Sequence, residues 1–246
     1  YLLDAIGYTD TSVRLFDDQS IKPDVKKTSE NFESRAIDNN YVATYFPDVV
    51  IQDSVNNKKV KVPASIAALA ALGFNDRIAY PWYAPAGFNR GALDFVSNAD
   101  VRLGAEDRDR LYDARINPIA SFPNSGMVIF GQKTLQQAQS ALDRVNVRRL
   151  MLEIKRLVIN VAQKIVFEQN TPSTRAKFVG ETTPLLALVQ AQAGIEKFKI
   201  VMDASNNTEE DIISNRLNGR IVVVPTRAIE FISIDFVITN TGVSFS

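Results

Sequence analysis

The stretch Val145–Phe167, VNVRRLMLEIKRLVINVAQKIVF, carries the strongest periodic signal in the sequence. Its recurring apolar residues, three or four positions apart, are Val147, Leu150, Ile154, Leu157, Val161 and Ile165. Because this spacing places them on one face, the stretch predicts a long amphipathic helix that packs against a core. A second helix is predicted over Ser173–Ala193, in which Pro184 would introduce a bend before the stop at Gly194.

Shorter helices and strands are predicted on both sides of this pair. The shorter helices are Asp24–Asp38, Pro63–Leu72, Glu106–Ile116 and Asn206–Leu217. The strands are Tyr41–Phe46, Val49–Gln52, Lys59–Val62, Met127–Phe130, Lys197–Asp203, Arg220–Val224 and Ile229–Thr239. Helix Pro63–Leu72 is apolar nearly all round, so it should be buried, and Gly73 should end it. This mixture predicts an α/β (α+β) fold in which helices flank a mixed β-sheet.

The length of 246 residues allows one large domain or two small ones. We treat 1–246 as one region, with a division into 1–100 and 101–246 as the alternative. Since the first residue is Tyr1 and not methionine, we expect the chain to be part of a longer protein.

Composition excludes several classes of function. The 28 basic and 28 acidic residues balance, which removes the bulk attraction that nucleic-acid binders use, so no direct nucleic-acid partner is expected. The longest apolar run, Ile66–Leu72, is far shorter than the ~20 residues of a membrane span, so membrane insertion is not expected. Cysteine and histidine are absent, which excludes thiol nucleophiles and the usual zinc sites. We expect no catalytic site, no metal and no cofactor.

Carboxylates are the catalytic option that remains. Glu106, Asp107 and Asp109 alternate with Arg108 and Arg110, a pattern typical of an exposed helix face with salt bridges. No acidic pair has a recognisable spacing for metal binding or acid–base catalysis. A carboxylate- or magnesium-dependent enzyme therefore stays open only as a minor alternative.

The long helix is basic on its non-core side, although the whole chain is neutral. Its basic residues are Arg148, Arg149, Lys155, Arg156 and Lys164. This pattern fits either a solvated helix face or a docking face for an acidic protein surface, because local charge sets register and orientation at an interface.

Two apolar segments are candidates for contacts with other molecules. Tyr80–Phe88 is aromatic-rich, which favours packing or a subunit contact, with a carbohydrate-binding module as the alternative. Strand Ile229–Thr239 has apolar residues on both faces and should be covered on both sides. The segment Thr241–Ser246 alternates apolar and small polar residues, so it would suit pairing with another chain's sheet edge, or it would be a frayed end.

Several segments together resemble the tail sheath proteins of contractile bacteriophages. They are Tyr80–Gly91 (YPWYAPAGFNRG), Arg110–Ile119 (RLYDARINPI), Gly131–Thr134 (GQKT), Asp143–Leu150 (DRVNVRRL) and Thr239–Gly242 (TNTG). They occur in the family's order with similar spacing, and the similarity covers most of the chain from about Tyr41 onward. The resemblance implies the carboxy-terminal part of a longer subunit whose upstream domains are not in this sequence.

The resemblance further implies a mode of action. Subunits would stack as hexameric rings around a tail tube, linked by terminal strands exchanged between neighbours, which would complete the sheet. Contraction would drive the tube through the host cell envelope for genome delivery. The implied partners are further copies of the chain, the tail tube protein, and the baseplate and tail terminator proteins. The implied location is the virion tail, assembled in the bacterial host cytoplasm, and a phage-related contractile injection system is the close alternative.

Site residues follow from the resemblance as hypotheses. Arg148, Arg149, Lys155, Arg156 and Lys164 are expected to contact the tube or a neighbouring subunit. The residues expected to take part in strand exchange are Phe231, Ser233, Asp235, Val237, Val243 and Phe245.

Overall fold

The computed structural model describes residues 1–5 and 23–231. Within these ranges the strands are β1 (Leu2–Asp4), β2 (Ala43–Phe46), β3 (Val49–Asp53), β4 (Lys58–Val62), β5 (Val96–Ala99), β6 (Ile116–Phe122), β7 (Gly126–Ile129), β8 (Ile195–Val201) and β9 (Arg220–Pro225). The α-helices are α1 (Val25–Glu33), α2 (Ala64–Ile78), α3 (Gly87–Arg90), α4 (Ala105–Asp113), α5 (Val145–Ile165), α6 (Pro172–Ala191) and α7 (Glu209–Ile213). A 3₁₀ turn covers Ala141–Asp143.

A four-stranded mixed sheet in the order β1-β2-β6-β7 forms the centre of the molecule. Strands β1, β2 and β6 run parallel, with Thr44 opposite Ile116, and β7 adds to β6 antiparallel. Every residue of β2 is buried, as are Ile116–Ala120 of β6. The sheet joins strands from both sides of residue 100, and the predicted mixed sheet with flanking helices is confirmed.

A second, antiparallel sheet in the order β4-β3-β5 leads from this centre into α2. One apolar cluster joins the two sheets and the buried face of α2, and its members include Tyr45, Val49, Ala67, Ala71 and Ile119. A second cluster lies where α1 and α4 pack near the sheet, around Phe46, Leu111 and Ile116. We call the two sheets with α1 to α4 the sheet core.

Helices α5 and α6 pack against each other and against the two-stranded antiparallel sheet β8-β9. The buried side chains between them include Leu150, Ile154, Leu186, Val189 and Ile195. Phe198 and Val223 of the two strands pack against the same cluster. We call this unit (α5, α6, β8 and β9) the hairpin lobe, and it confirms the predicted amphipathic helix from Val145 and the predicted strand from Arg220.

Helix α2 differs from its prediction in length and in burial. It continues through Gly73 to Ile78, and the extra turn carries Asn75, which is fully buried and donates from Nδ2 to the carbonyl oxygen of Tyr80 at 3.2 Å. A glycine inside a helix costs only about 1 kcal/mol, which such a contact can offset. The prediction of burial all round is wrong, because Leu69 is 63% exposed.

Other boundaries were also predicted incorrectly. Helix α1 ends at Glu33 and not at Asp38, and α7 covers only Glu209–Ile213. Helix α4 stops at Asp113 because Arg115 takes up a left-handed φ of 62°, and β6 starts directly afterwards. The predicted helix extended to Ile116, so the first residue of the central strand β6 was wrongly assigned to a helix. Strands β1 and β5 were not predicted either.

The predicted strand Ile229–Thr239 is not formed in its first part. Residues 226–231 belong to no strand, and Ile229 is 82% and Phe231 81% exposed. The remainder of that prediction, and the segment Thr241–Ser246, lie outside the described residues.

Candidate interaction surfaces

The basic residues predicted on α5 lie on the side of the helix away from its apolar core residues. Part of this side contacts the sheet core, and part is exposed to solvent. Positions seven residues apart face the same way, so Arg148 and Lys155 share a face, as do Arg149 and Arg156. Near the start of α5 the sheet core covers this face, and farther along it meets solvent. The structure therefore does not present the predicted residues as one continuous exposed surface.

The first two of these arginines contact the sheet core. The guanidinium of Arg148 lies over the ring of Tyr41, 4.0 Å from its centroid. Arg149 donates to both carboxylate oxygens of Asp76, with 2.6 Å between Nη2 and Oδ1. Both contacts join the hairpin lobe to the sheet core, so these two side chains already have partners within the chain.

The other three basic residues of α5 are exposed. Arg156 pairs with Glu153 three residues earlier, and the hydrogen bond from Arg156 lowers the pKa of that carboxyl. Lys164 reaches Glu181 of α6 at 3.3 Å. Lys155 makes no ion pair with any residue in the described part of the chain. These three positions form the exposed part of the basic face.

The aromatic segment Tyr80–Phe88 packs within the molecule, as the sequence favoured. The rings of Tyr80 and Trp82 stack 4.9 Å apart, and Trp82 is 8% exposed. Trp82 Nε1 donates to the carbonyl oxygen of Gln192 at 3.0 Å, which joins this segment to the end of α6. Phe88 is half exposed and packs edge-on to Phe122.

The acidic cluster on α4 has the structural roles expected of an exposed helix face. Glu106 pairs with Arg110 at 3.2 Å, and Asp107 accepts from the backbone N–H of Gly104, which caps the helix. Across residues 1–5 and 23–231, no group of three or more acidic side chains is placed to hold a metal ion. Within the same residues, no helix is both long and apolar enough to cross a bilayer.

Among the described residues, the sheet of the hairpin lobe has one covered face and no third strand along either edge. Strand β9 alternates along its length, with Ile221 and Val223 turned to the apolar cluster and Val222 and Val224 exposed. Each strand has a single described neighbour, so within residues 1–5 and 23–231 no strand pairs with the outer backbone edge of β8 or with that of β9.

Glu230 holds the chain to the sheet core just beyond β9. Its carboxylate accepts hydrogen bonds from Tyr112 Oη at 2.8 Å, from Gln132 Nε2 at 3.1 Å and from Arg144 Nε at 2.7 Å. The Glu230 side chain is 17% exposed, whereas Ile229 and Phe231 on either side are more than 80% exposed. One partly buried carboxylate thus fixes a short segment in which both neighbouring side chains are exposed.

The electrostatics around Glu230 favour its charged form. Burial on its own would raise the pKa of this carboxyl, but the hydrogen bonds from Arg144 and Tyr112 outweigh it and lower the pKa. Burial and the adjacent carboxylate raise the pKa of the Tyr112 phenol. Burial lowers the pKa of Lys133, whose ammonium lies 3.9 Å from the centroid of the Tyr112 ring.

Comparison with known proteins identifies the relatives of this fold. Residues 137–239 match the family model of the phage tail sheath C-terminal domain. The tail sheath protein of Vibrio phage KVP40 is 37% identical over 210 residues, which are 85% of this chain and 30% of that protein. The tail sheath protein of Enterobacteria phage T4 is 35% identical over 212 residues, 85% of this chain and 31% of that protein. The chain belongs to the phage tail sheath family.

The match concerns one part of these longer proteins. The chain spans about 30% of the length of the curated tail sheath proteins it matches. The contracted sheath complex of an extracellular contractile injection system, PVC, has a TM-score of 0.79 at 19% identity, covering 96% of this chain and 63% of that one. At this identity the likeness shows that the two share a fold.

Three of the segments that resemble tail sheath proteins meet in space at Glu230. Tyr112 belongs to Arg110–Ile119, Gln132 to Gly131–Thr134, and Arg144 to Asp143–Leu150. Asn117 adds a second link between the first two segments, since its Oδ1 accepts from Lys133 N at 2.7 Å. Sequence reasoning missed Glu230, because it stood in a predicted strand with apolar neighbours and its partners are 86 to 118 residues away.

Of the residues predicted for strand exchange, only Phe231 lies in the described part of the chain. It follows Glu230 directly and is 81% exposed. The others lie outside the described residues: Ser233, Asp235, Val237, Val243 and Phe245.

Proposed function

We propose that this chain is the carboxy-terminal part of a contractile tail sheath subunit. The complete protein polymerises as stacked hexameric rings around a tail tube, and contraction of the sheath drives the tube through the host cell envelope for genome delivery. The partners are further copies of the subunit, the tube protein, and the baseplate and tail terminator proteins. The protein resides in the virion tail after assembly in the host cytoplasm, and it works without a cofactor and without catalysis.

The observation that carries this proposal is the 37% identity with a phage tail sheath protein over 85% of the chain. The architecture supports this proposal, because buried and partly buried polar side chains such as Asn117 and Glu230 make structural contacts within the chain. Stacked subunits that exchange one set of contacts for another need a stable core and open edges, and the free energy of contraction is then stored in the packing of the assembled sheath.

A sheath of a contractile injection system is the second candidate, and the fold favours it as much as the first. The PVC sheath shares the fold at 19% identity, whereas the phage protein from KVP40 is nearly twice as similar in sequence. The genes beside the coding sequence distinguish the two, since capsid and terminase genes accompany a phage and are missing from an injection system.

Electron microscopy of the longer protein that contains this chain is the direct test. Rings or tubes in negative stain are the expected result, because identical subunits with complementary faces polymerise by repeating one contact. A protein that stays monomeric at high concentration, with and without its tube protein, would contradict the proposal.

Strand exchange is the proposed link between neighbouring subunits. The edges of β8 and β9, which pair with no other described strand, support it as acceptors, since a two-stranded sheet is marginal alone and gains from a further strand. The proposed donor is the terminal segment with Phe231, Val237, Val243 and Phe245. Deleting Val243–Ser246 should abolish assembly of the longer protein while its folded core persists, and unchanged assembly would remove this link.

The exposed part of the basic face on α5 is the proposed contact with the tube or a neighbour. Reversing Arg148 or Arg149 would also break the contacts with Tyr41 and Asp76, so it tests folding as well as docking. Lys155→Glu is the cleaner test, and Lys177→Glu on the exposed side of α6 is its matched control. Weaker assembly on the tube is expected for the first variant alone, and equal assembly of both would contradict the proposal.

A further inference from the structure

The segment 226–231 crosses from the hairpin lobe to the sheet core with few contacts of its own. At its start, Thr226 N donates to the carbonyl oxygen of Gly194 at 3.1 Å. Between the two ends, Arg227, Ala228 and Ile229 are exposed and line one wall of a cavity of about 400 Å³. Because the segment covers a cavity and not a packed surface, its middle contributes little to its own position.

At the far end of this segment, Glu230 gathers donors from three separate parts of the sheet core and its connections. Tyr112 comes from α4, Gln132 from the connection after β7, and Arg144 from the residue that precedes α5. Arg144 is itself held by Asp143, with 3.0 Å between Nη1 and Oδ2. Hydrogen bonds to an ionised acceptor are about twice as strong as neutral ones, so this site is much the strongest contact of the segment.

We propose that Glu230 is a positioning residue that anchors the base of the terminal segment to the sheet core at Tyr112, Gln132 and Arg144. This anchor rests on the proposed function, because it fixes where the strand-exchange segment leaves the subunit. With the anchor closed, residue 230 is held at one defined place on the sheet core, next to the exposed Phe231. With it open, the base is free back to Thr226, and the terminal segment loses its defined origin.

The charges around the anchor make it specific for a carboxylate. Arg144 supplies the positive charge nearest to Glu230, and Lys133 adds a second one beside Tyr112. Among the groups that line the neighbouring cavities are Asp109, Asp143 and Arg108. A neutral amide at position 230 would still accept hydrogen bonds but would leave the Arg144 charge without this partner, so it should hold less firmly.

Tryptic cleavage after Arg227 measures the anchor directly, since protease access to this exposed bond requires the segment to lift from the core. In the intact folded chain, Glu230→Ala should raise the rate of cleavage after Arg227 about tenfold, and Glu230→Gln should raise it about threefold. Glu168→Ala, an exposed carboxylate with no partner among the described residues, is the matched control and should leave the rate unchanged. The thermal midpoint of all variants should stay the same, because the opening is local.

A double variant separates the anchor from a general loosening of the fold. If Glu230 acts through Arg144, then Glu230→Ala combined with Arg144→Ala should be cleaved no faster than the faster of the two single variants. Wild-type cleavage rates in Glu230→Ala would overturn the proposal, as would effects of the two substitutions that simply multiply. These measurements need no sheath, so failure of the longer protein to polymerise would refute the proposed function and leave the anchor standing.

Discussion

Strands β6 and β9 differ in burial in the opposite sense to what their sequences suggest, since the strand with the more typical strand composition is the more exposed one. The sequence of β9, RIVVVP, is rich in β-branched residues, yet it alternates between exposed and half-buried side chains and has one described neighbour. The sequence of β6, INPIASF, contains a proline and an asparagine, yet its first five residues are buried and it lies between β2 and β7. Burial is therefore decided by the partners that the topology supplies, and the sequence best suited to a sheet has only one neighbouring strand among the described residues.

This contrast divides the chain into a part that is complete and a part that can still accept strands. The sheet core covers both faces of β6 with its own helices and strands. In the described part of the chain, the hairpin lobe covers only one face of β8 and β9 and pairs no further strand with their edges. If this division holds, the stability of the chain depends on the first part while the second remains available for assembly.

Truncating the centre of β6 should have the largest effect. Ile119 is fully buried and lies opposite Ile129 of β7, so Ile119→Ala should lower the free energy of unfolding by about 4 kcal/mol through lost transfer energy and the cavity left behind. Val224→Ala on the exposed side of β9 is the matched control, with an expected loss of less than about 1 kcal/mol. Chemical denaturation measures both losses. Similar losses would show that β6 and β9 contribute equally to the stability of the fold.

The buried amide of Asn117 should have the next largest effect. Its Nδ2 donates to the carbonyl oxygens of Thr44 at 3.0 Å and of Lys133 at 2.9 Å, and its Oδ1 accepts from Lys133 N. Asn117→Ala would leave these buried groups unpaired, which should cost about 2–3 kcal/mol in denaturation experiments. Asn98→Ala, on the exposed side of β5, should cost only a few tenths of a kcal/mol. An Asn117 variant as stable as the Asn98 variant would mean that water replaces the lost contacts.

These same residues explain what sequence reasoning could find. The amphipathic period over Val145–Ile165 depends only on nearby positions, and it placed α5 correctly. Strand β6 was not predicted, because a proline such as Pro118 argues against a central strand. The missing N–H of Pro118 is tolerated because pairing with β2 ends at this residue and pairing with β7 begins at the next. The basic face was recognised, but the contacts of Arg148 with Tyr41 and of Arg149 with Asp76 depend on long-range packing that no local pattern contains.

Strand β9 offers a comparison within a single element. Val223 packs against the apolar cluster of the hairpin lobe, so Val223→Thr would place a hydroxyl there and should cost about 1 kcal/mol. Val222 is 47% exposed, and Val222→Thr should cost only a few tenths of a kcal/mol because threonine suits an exposed strand equally well. Denaturation of the two variants provides the measurement. Equal losses at both positions would indicate that the second face of β9 is also covered, which would remove the basis for treating it as open.

The smallest effect, and the only one with a defined pH dependence, concerns the anchor at the junction of the two parts. The pKa of Glu230 is lowered in the folded chain, so its contribution is complete above the ordinary carboxyl pKa of about 4.3 and is lost as the pH falls through the lower folded value. Hydrogen exchange of the amides in 226–231 should therefore be about threefold faster in Glu230→Gln than in the wild type at pH 7, with the two rates converging as the pH falls through the lowered pKa of Glu230. The intrinsic pH dependence of exchange cancels in this ratio. A ratio that stays constant from pH 7 to pH 3 would mean that the charge of Glu230 does not hold the segment, and that its position depends on the backbone contact of Thr226 with Gly194 instead.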